Sequence, residues 1–396
     1  MLTGKTILVG VSGGIAAYKA VQLVSDLRKL GAQVHVLMTK NATQLVAPLT
    51  FETMSGNRVS VDTFDRNFEW NVQHVSLAQK ADAFIVAPAT ANVIAKFAAG
   101  LADDMLTTTF LAAECPKLVA PAMNTAMYEN SATQRNLKAL RMLGMDVIDP
   151  DAGFLACSDS GRGRLPDTGV LTDHLLAAIT PKDLTGCKVV VTAGPTREPI
   201  DPVRYITNHS TGKMGYQTAL AAARRGARVT LISGPVSLPC PYGVKRVMVE
   251  SAAQMYEAVM TAAREAHIIV KSAAVADYTP AVTADHKVKK SDGDLSLALT
   301  RTRDILAALG QNKRPGQVIV GFSMETDDLI ANSTAKLAKK KADMIVANSL
   351  REEGAGFGGD TNVATLITAQ GAQRLEKMTK YELGNLILTR AAALLK

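Results

Sequence analysis

Residues 6–39, TILVGVSGGIAAYKAVQLVSDLRKLGAQVHVLMT, decide the fold. TILVGVS is an apolar run of strand length, and Ser12-Gly13-Gly14 is a tight turn of small residues. IAAYKAVQLVSDLRKL then follows with helical periodicity up to Gly31, and QVHVLMT is a second strand. Strand, helix and strand in that order form a βαβ unit, with parallel strands and the helix crossing one face. The rhythm continues through ADAFIVAP, KLVAPAMN and MDVIDP. It breaks at residues 153–169, GFLACSDSGRGRLPDTG, which read as a mobile surface loop. After the helical stretch LTDHLLAAIT and the linker PKDLTG, the strand KVVVTAG starts the pattern afresh. It runs on through the helices KMGYQTALAAARRG and SAAQMYEAVMTAAREA and the strands RVTLISG, VKRVMV, HIIVKSA, QVIVGFS, DMIVANS and ATLITAQ. The expected fold is α/β, with two doubly wound domains and mainly parallel sheets. The N-terminal domain, flavodoxin-like or Rossmann-like, is placed at residues 1–187, and a Rossmann-like C-terminal domain at 188–396.

Composition agrees with two globular domains. The 396 residues are 47% hydrophobic and 20% charged, enough to bury two cores. Lys+Arg at 44 against Asp+Glu at 36 gives +8, which suits anionic substrates as well as nucleic acid. The chain has no RNA-recognition signature, no zinc-finger spacing and no basic run longer than Lys339-Lys340-Lys341, so small phosphorylated ligands are favoured over nucleic acid. Cys115, Cys157, Cys187 and Cys240 lie far apart with no CxxC pair, which fits a reducing cytosol and argues against structural zinc. No apolar run reaches the ~18 residues of a membrane span and no signal-peptide core opens the chain, so a cytoplasmic protein without a membrane partner is expected.

In such folds ligands gather where strands end. The turn after the first strand, Gly10 to Gly14, can bring backbone N–H groups and a helix N-terminus to a phosphate. It is not a GxGxxG, and the second strand ends in Thr39-Lys40 where a dinucleotide fold carries an acidic residue, so a mononucleotide is favoured over NAD. APATAN supplies Thr90 and Asn92 after the next strand, and PAMN delivers the Asn124 amide at another strand end. Read alone, Asn124 suits a helix cap equally and His74 suits a structural histidine. Cys157, among Ser, Asp, Gly and Arg, stands in a setting that favours thiolate more than the other cysteines do.

The glycine turn, Gln73-His74, APATAN, PAMN and the ACSDSGRGR loop together resemble the flavin-dependent phosphopantothenoylcysteine decarboxylases. Ser158 stands where the family has glycine in the loop. The resemblance implies FMN held by Ser12, Gly13, Gly14, Ile15, Thr39, Ala89, Thr90 and Asn92. It implies His74 as base and carboxylate partner, Asn124 as the group that grips the substrate carboxylate, and Cys157 as the acid that returns a proton.

The second half carries its own signature, KVVVTAGPTREPIDPVRYITNHSTGKMG at residues 188–215. Gly212-Lys213 is followed by Met214 and lacks the upstream glycine of a Walker motif, so a P-loop ATPase is disfavoured. This stretch, with SAAVADYTP, HKVKK, DIL, GFSMET and the lysine-rich helix before DMIVAN, resembles the phosphopantothenate–cysteine ligases. The two resemblances in this order are similar to the bacterial bifunctional coenzyme A biosynthesis proteins. The ligase resemblance implies CTP bound by Lys271, Ser272, Ala273, Asp277, Lys287, Arg303, Asp304, Ile305, Leu306, Phe322, Lys336 and Lys340, with Mg2+ or Mn2+ whose ligands stay unassigned. Asn208 and Lys287 would be catalytic, and Arg204 and Asn208 would bind substrate. Homo-oligomerisation is implied too, with flavin sites at subunit interfaces and a dimerising ligase half. Without the resemblance, the lysines of residues 336–341 suit a solvated helix face and Asp277 suits a helix cap. Two rival functions remain at this level: a non-enzymatic flavin-holding scaffold and a nicotinamide dehydrogenase.

Overall fold

A computed structural model describes residues 1–64, 73–154, 160–289, 296–325, 328–349 and 358–395. They form two compact units, Met1–Thr180 and Pro181–Lys396, dividing a short step ahead of the strand that opens the second pattern.

The first unit is built on β1 (Thr6–Val11), β2 (Gln33–Met38), β3 (Ala83–Ala89), β4 (Lys117–Pro121) and β5 (Asp146–Val147), in the order β2-β1-β3-β4-β5. All four pairings are parallel, giving the flavodoxin-like order. Every residue of β3 is buried, as a strand covered on both faces requires. Helix Ala17–Lys29 turns Ala17, Ala20, Leu23, Val24 and Leu27 inward at helical spacing, places Arg28 and Lys29 at the negative end of its dipole, and stops at Gly31 with φ +94°. One face of the sheet packs Ile7, Val9, Leu23 and Phe51, and the other packs Leu8, Phe84, Leu106 and Phe110. Each such side chain contributes roughly 1.5–3 kcal/mol through burial.

Where a mobile loop was expected, Asp151–Phe154 and Ser160–Arg164 pair antiparallel as a hairpin. Composition misled here because Gly163, at φ +147°, is used for close packing of extended chain against Met123 rather than for a turn.

The second unit carries β6 (Lys188–Ala193), β7 (Arg228–Ser233), β8 (Val244–Met248), β9 (Ile268–Lys271), β10 (Val318–Glu325), β11 (Met344–Ser349), β12 (Ala364–Thr368) and β13 (Gly371–Arg374). Their order is β8-β7-β6-β9-β10-β11-β12-β13, parallel through β11 and antiparallel for the last two. Six strands thus follow the Rossmann order 3-2-1-4-5-6. Helices Lys213–Arg224 and Lys380–Ala393 cover one face, with a Cβ on Gly384 falling only 2.9 Å from Thr218 Cα. The α/β class with mainly parallel sheets is therefore as the sequence predicts. Among the described residues no helix is long and apolar enough to cross a membrane.

Candidate functional site

In the first unit the strand order reverses between β1 and β3, and the carboxyl ends of those strands open a crevice. Ser12, fully buried, donates from its hydroxyl to the Pro88 carbonyl at 2.8 Å and accepts from the Thr90 N–H at 2.9 Å. Its side chain ties the two strand ends together and has no proton left to donate to a ligand. A Cβ on Gly13 would collide with Asn41 Cβ at 2.5 Å, whereas one on Gly14 would meet Thr90 Cγ2 at 3.4 Å, so Gly14 is where the backbone is open to a close approach. Helix Ala17–Lys29 and helix Ala91–Ala99 both start here with no side chain capping them. Two uncapped N-termini at one crevice favour an anion. Thr39 Oγ1 accepts from the Ala42 N–H at 3.3 Å, Ala89 is buried at the end of β3, and Ile15 and Asn92 are exposed.

Asn124 caps helix Thr125–Glu129, its Oδ1 accepting from the Ala126 N–H at 2.8 Å. The capping reading of the sequence is thus realised, with one face of the amide committed to it. The hairpin packs onto this cap: Met123 N–H donates to the Gly163 carbonyl at 3.0 Å, and a Cβ on Gly163 would fall 2.1 Å from Met123 O. Gly161 is equally tight, at 2.6 Å from Thr125 Oγ1. Gly161 and Gly163 therefore let the strand that follows Cys157 pack on Met123 and Thr125, the two residues flanking Asn124. Cys157 and Ser158 lie outside the described residues. His74 is half-buried in the first turn of helix Gln73–Lys80, whose Gln73 donates to Ser60 Oγ at 2.9 Å.

In the second unit the order reverses between β6 and β9, and a cleft of about 450 Å³ opens there. Its wall includes Asn208, Lys271, Ser272, Ala273, Asp277, Phe322 and Lys336, all expected from the sequence. Ser272 Oγ donates to the Thr192 carbonyl at 2.5 Å and Thr192 Oγ1 accepts from the Ala273 N–H at 3.1 Å, so β6 and β9 are joined at the cleft floor. Gly215 lets helix Lys213–Arg224 start against this floor, since a Cβ there would stand 2.8 Å from Ser272 Oγ. Asn208 Nδ2 donates to the carbonyls of Ala274 and Val275, at 3.3 and 3.1 Å. Burial, then the Lys336 charge, pushes the Lys271 ammonium down to about 8. Asp277 precedes the short strand Tyr278–Pro280, so the helix-cap reading of that residue fails.

Other expected residues stand off the cleft wall. Arg303 stacks over Tyr256 at 3.9 Å and pairs with Glu257 at 2.6 Å. Asp304 caps helix Ile305–Gln311 and pairs with Lys340 at 2.5 Å, and Ile305 and Leu306 point into the core. Lys287 is exposed. Its neighbour Val288 is gripped from both sides: the N–H donates to Asp201 Oδ2 at 3.1 Å and the carbonyl accepts from Arg204 at 2.7 Å. Arg204 in turn donates to Asp201 Oδ2 through Nε at 3.0 Å and through the terminal nitrogen at 2.6 Å. These arginine bonds, with the N–H groups of Val203, Arg204 and Val288, hold the Asp201 carboxyl far below the carboxylate range.

Among the cleft residues that escaped sequence reading are Lys213, Asn348, Asn362 and Lys380. Lys213 was in view only as a failed Walker lysine. Lys380 follows a capping box, Thr379 with Glu382, and T-x-x-E was the signal that could have placed it at a helix start. Burial and the neighbouring Lys213 charge push the Lys380 ammonium below its ordinary value.

Residues 1–180 match the family model described as Flavoprotein, and residues 184–395 match the DNA/pantothenate metabolism flavoprotein C-terminal domain. The Coenzyme A biosynthesis bifunctional protein CoaBC of Bacillus subtilis (strain 168) is 50% identical over 401 residues, covering 100% of this chain and 98% of that one. Its namesake in Escherichia coli (strain K12) is 44% identical over 391 residues, covering 98% and 96%. A crystal structure of the C-terminal domain of a protein of that name is 41% identical and covers 54% of this chain and 98% of that one, with a TM-score of 0.47. With a flavoprotein domain followed by a pantothenate-metabolism domain, and full-length relatives at this identity, the chain belongs to the family of bifunctional coenzyme A biosynthesis proteins.

Proposed function

We propose that the second unit joins 4'-phosphopantothenate to cysteine at the expense of CTP, and that the first unit decarboxylates the product, 4'-phospho-N-pantothenoylcysteine, to 4'-phosphopantetheine. One observation carries the reading: seven residues scattered from Asn208 to Lys336 in the sequence share the wall of one cleft at a topological switch point.

In the ligation, the substrate carboxylate attacks the α-phosphorus of CTP, pyrophosphate leaves, and an acyl-cytidylate remains. The cysteine amine then attacks the acyl carbon and CMP departs. The first displacement brings negative groups together and both release anionic leaving groups, and the cations of Lys271 and Lys336 offset that charge in a half-buried setting where charges act strongly. Asn208 is held at the cleft by the Ala274 and Val275 carbonyls, positioned to hydrogen-bond the intermediate. Lys287 acts beside the reacting carbonyl and phosphate. Asp277 on the cleft wall would be the carboxylate to hold a magnesium or manganese ion, which would supply positive charge against the triphosphate, since magnesium commonly takes one or two carboxylates and substrate phosphates.

In the decarboxylation, the crevice between β1 and β3 fits FMN: Gly14 admits the phosphate to two uncapped helix N-termini. FMN held there would supply a reversible acceptor for an electron pair from the carbon bearing the thiol. His74 removes the thiol proton, Asn124 orients the carboxylate that leaves as CO2, and Cys157 supplies the proton that completes the product. Oligomerisation and a cytoplasmic location are part of this reading.

The test is the visible spectrum of the purified protein, followed by release of pyrophosphate and CO2 with phosphopantothenate, cysteine and CTP. Cys157→Ser should stop CO2 release and spare pyrophosphate release, and Asn208→Ala should stop ligation and spare decarboxylation of supplied phosphopantothenoylcysteine. A colourless protein that releases no pyrophosphate would sink the reading.

A further inference from the structure

Lys287 stands in a stretch of chain that the turn at residues 199–204 holds on both sides of it. Ahead of the lysine, the Thr283 hydroxyl donates to the Pro199 carbonyl at 3.2 Å and the Ala284 N–H to the Ile200 carbonyl at 2.9 Å. Behind it, the Val288 N–H donates to Asp201 Oδ2 at 3.1 Å and the Val288 carbonyl accepts from Arg204 Nη2 at 2.7 Å. The Lys287 side chain is exposed and makes no hydrogen bond or ion pair among the described residues, so these backbone anchors set where it stands.

The anchors meet at Asp201, which is 2% exposed. Its Oδ1 accepts from the N–H groups of Val203 and Arg204, both at 2.8 Å, and closes the local turn. Its Oδ2 is used elsewhere: it takes Nε and Nη2 of Arg204 and the N–H of Val288, 87 positions along the chain. A carboxylate so buried is stable only when paired and hydrogen-bonded, and five N–H groups converge on this one. Arg204 spends its Nε and Nη2 edge on Asp201 and Val288. Its Nη1 edge has no partner among the described residues, and its side chain is 42% exposed.

We propose that Asp201 and Arg204 are positioning residues for Lys287. Asp201 sets the plane of the Arg204 guanidinium. Arg204 then holds the Val288 carbonyl with one edge and keeps the other open to the anionic substrate. One rigid cation in this way relates the bound anion to the strap that carries Lys287. A lysine at position 204, a point charge with no second edge, would not do so. The assignment rests on the ligation proposed above, in which Lys287 acts at the reacting carbonyl and phosphate.

Hydrogen exchange of the full chain and steady-state pyrophosphate release read the strap and the reaction separately. In Asp201→Asn and in Arg204→Lys the amides of Ala284 and Val288 should lose about tenfold or more of their protection, while those of β6 and β9 keep theirs. With the lysine displaced, kcat should fall about 100-fold and the KM for CTP should stay within about twofold. A carboxylate that served only the fold would loosen the whole second unit and change kcat and KM together, and that result would overturn the proposal. A strap that stays protected would overturn it too, as would a released strap with kcat unchanged. If Asp201→Asn fails to fold, Arg204→Lys, which keeps a cation against the buried carboxylate, decides by the same readings. A wild-type chain that releases no pyrophosphate would overturn the ligation and this assignment with it, whereas an active wild type with unaffected variants overturns this assignment alone.

Discussion

Replacing Gly163 by alanine tests whether the hairpin returning from Cys157 is held against Asn124. The added Cβ would stand 2.1 Å from the Met123 carbonyl oxygen, against about 3.4 Å for ordinary contact, and the residue would occupy φ +147°. Backbone strain of this kind costs roughly 1–3 kcal/mol and overpacking a further 1–3. Lifting the hairpin away gives up the Met123–Gly163 hydrogen bond, worth about 0.5–1.5 kcal/mol, and the packing around it. The chain therefore gives way at the hairpin. A net loss of about 3 kcal/mol leaves the docked arrangement roughly 100-fold less populated. Decarboxylation of phosphopantothenoylcysteine, followed as CO2 release, should fall by about that factor while pyrophosphate release by the second unit stays within twofold. Gly169→Ala is the control: it lies in helix Thr168–Ile179 with nothing within 4 Å of the new Cβ, and it should be neutral or stabilise by roughly 0.5–1 kcal/mol. A Gly163→Ala chain that decarboxylates at the wild-type rate would refute the docking.

Lys271, lowered from 10.5 to about 8, binds fewer protons folded than unfolded between those values, so thermal stability of the ligand-free second unit should rise with pH across that window. CTP affinity, which uses the ammonium, should fall as pH passes 8, and both trends should be absent in Lys271→Met when melting curves and titrations are run from pH 7 to 10. Asp201→Asn removes a charge that Arg204 needs and places an amide beside existing donors, so protection of the Val288 amide from hydrogen exchange should drop and ligation should slow roughly 100-fold through Lys287. The rate loss should not compound in Asp201→Asn with Lys287→Ala; full multiplication of the two losses would show that Asp201 does not act through that lysine. Phe84→Ala, at a fully buried ring 5.2 Å from Phe110, should cost about 3–5 kcal/mol and lower the melting temperature of the first unit, with pyrophosphate release by the second retained.

Both sheets were legible because their apolar runs have strand length and alternate with helical periods, and periodicity reports burial directly. Asn208, Ser272 and Lys336 were legible through the resemblance of the motifs that carry them to the phosphopantothenate–cysteine ligases, not from their local pattern alone. The hairpin at 151–164 was not: its pairing depends on close approach to Met123 and Thr125, which lie far back in the chain and leave no local pattern. Lys380 and Asn348 were missed for a related reason. Each ends or begins an element whose sequence explains itself by capping or by strand propensity, and only the tertiary fold turns them toward a shared cleft. Arg303, expected at the nucleotide, pairs in this structure with Tyr256 and Glu257.

The antiparallel pair that finishes the second sheet also governs how the chain is made. Each parallel strand before it waits for a crossover, while β12 and β13 meet through a short local turn and dock on β11. Until they leave the ribosome, Met344, Ile345, Val346 and Ala347 belong to an open strand edge that any neighbouring nascent chain could pair with. A premature stop before Ala364 would therefore yield aggregated protein, and a chaperone that holds that edge would have its task ended by the last few dozen residues.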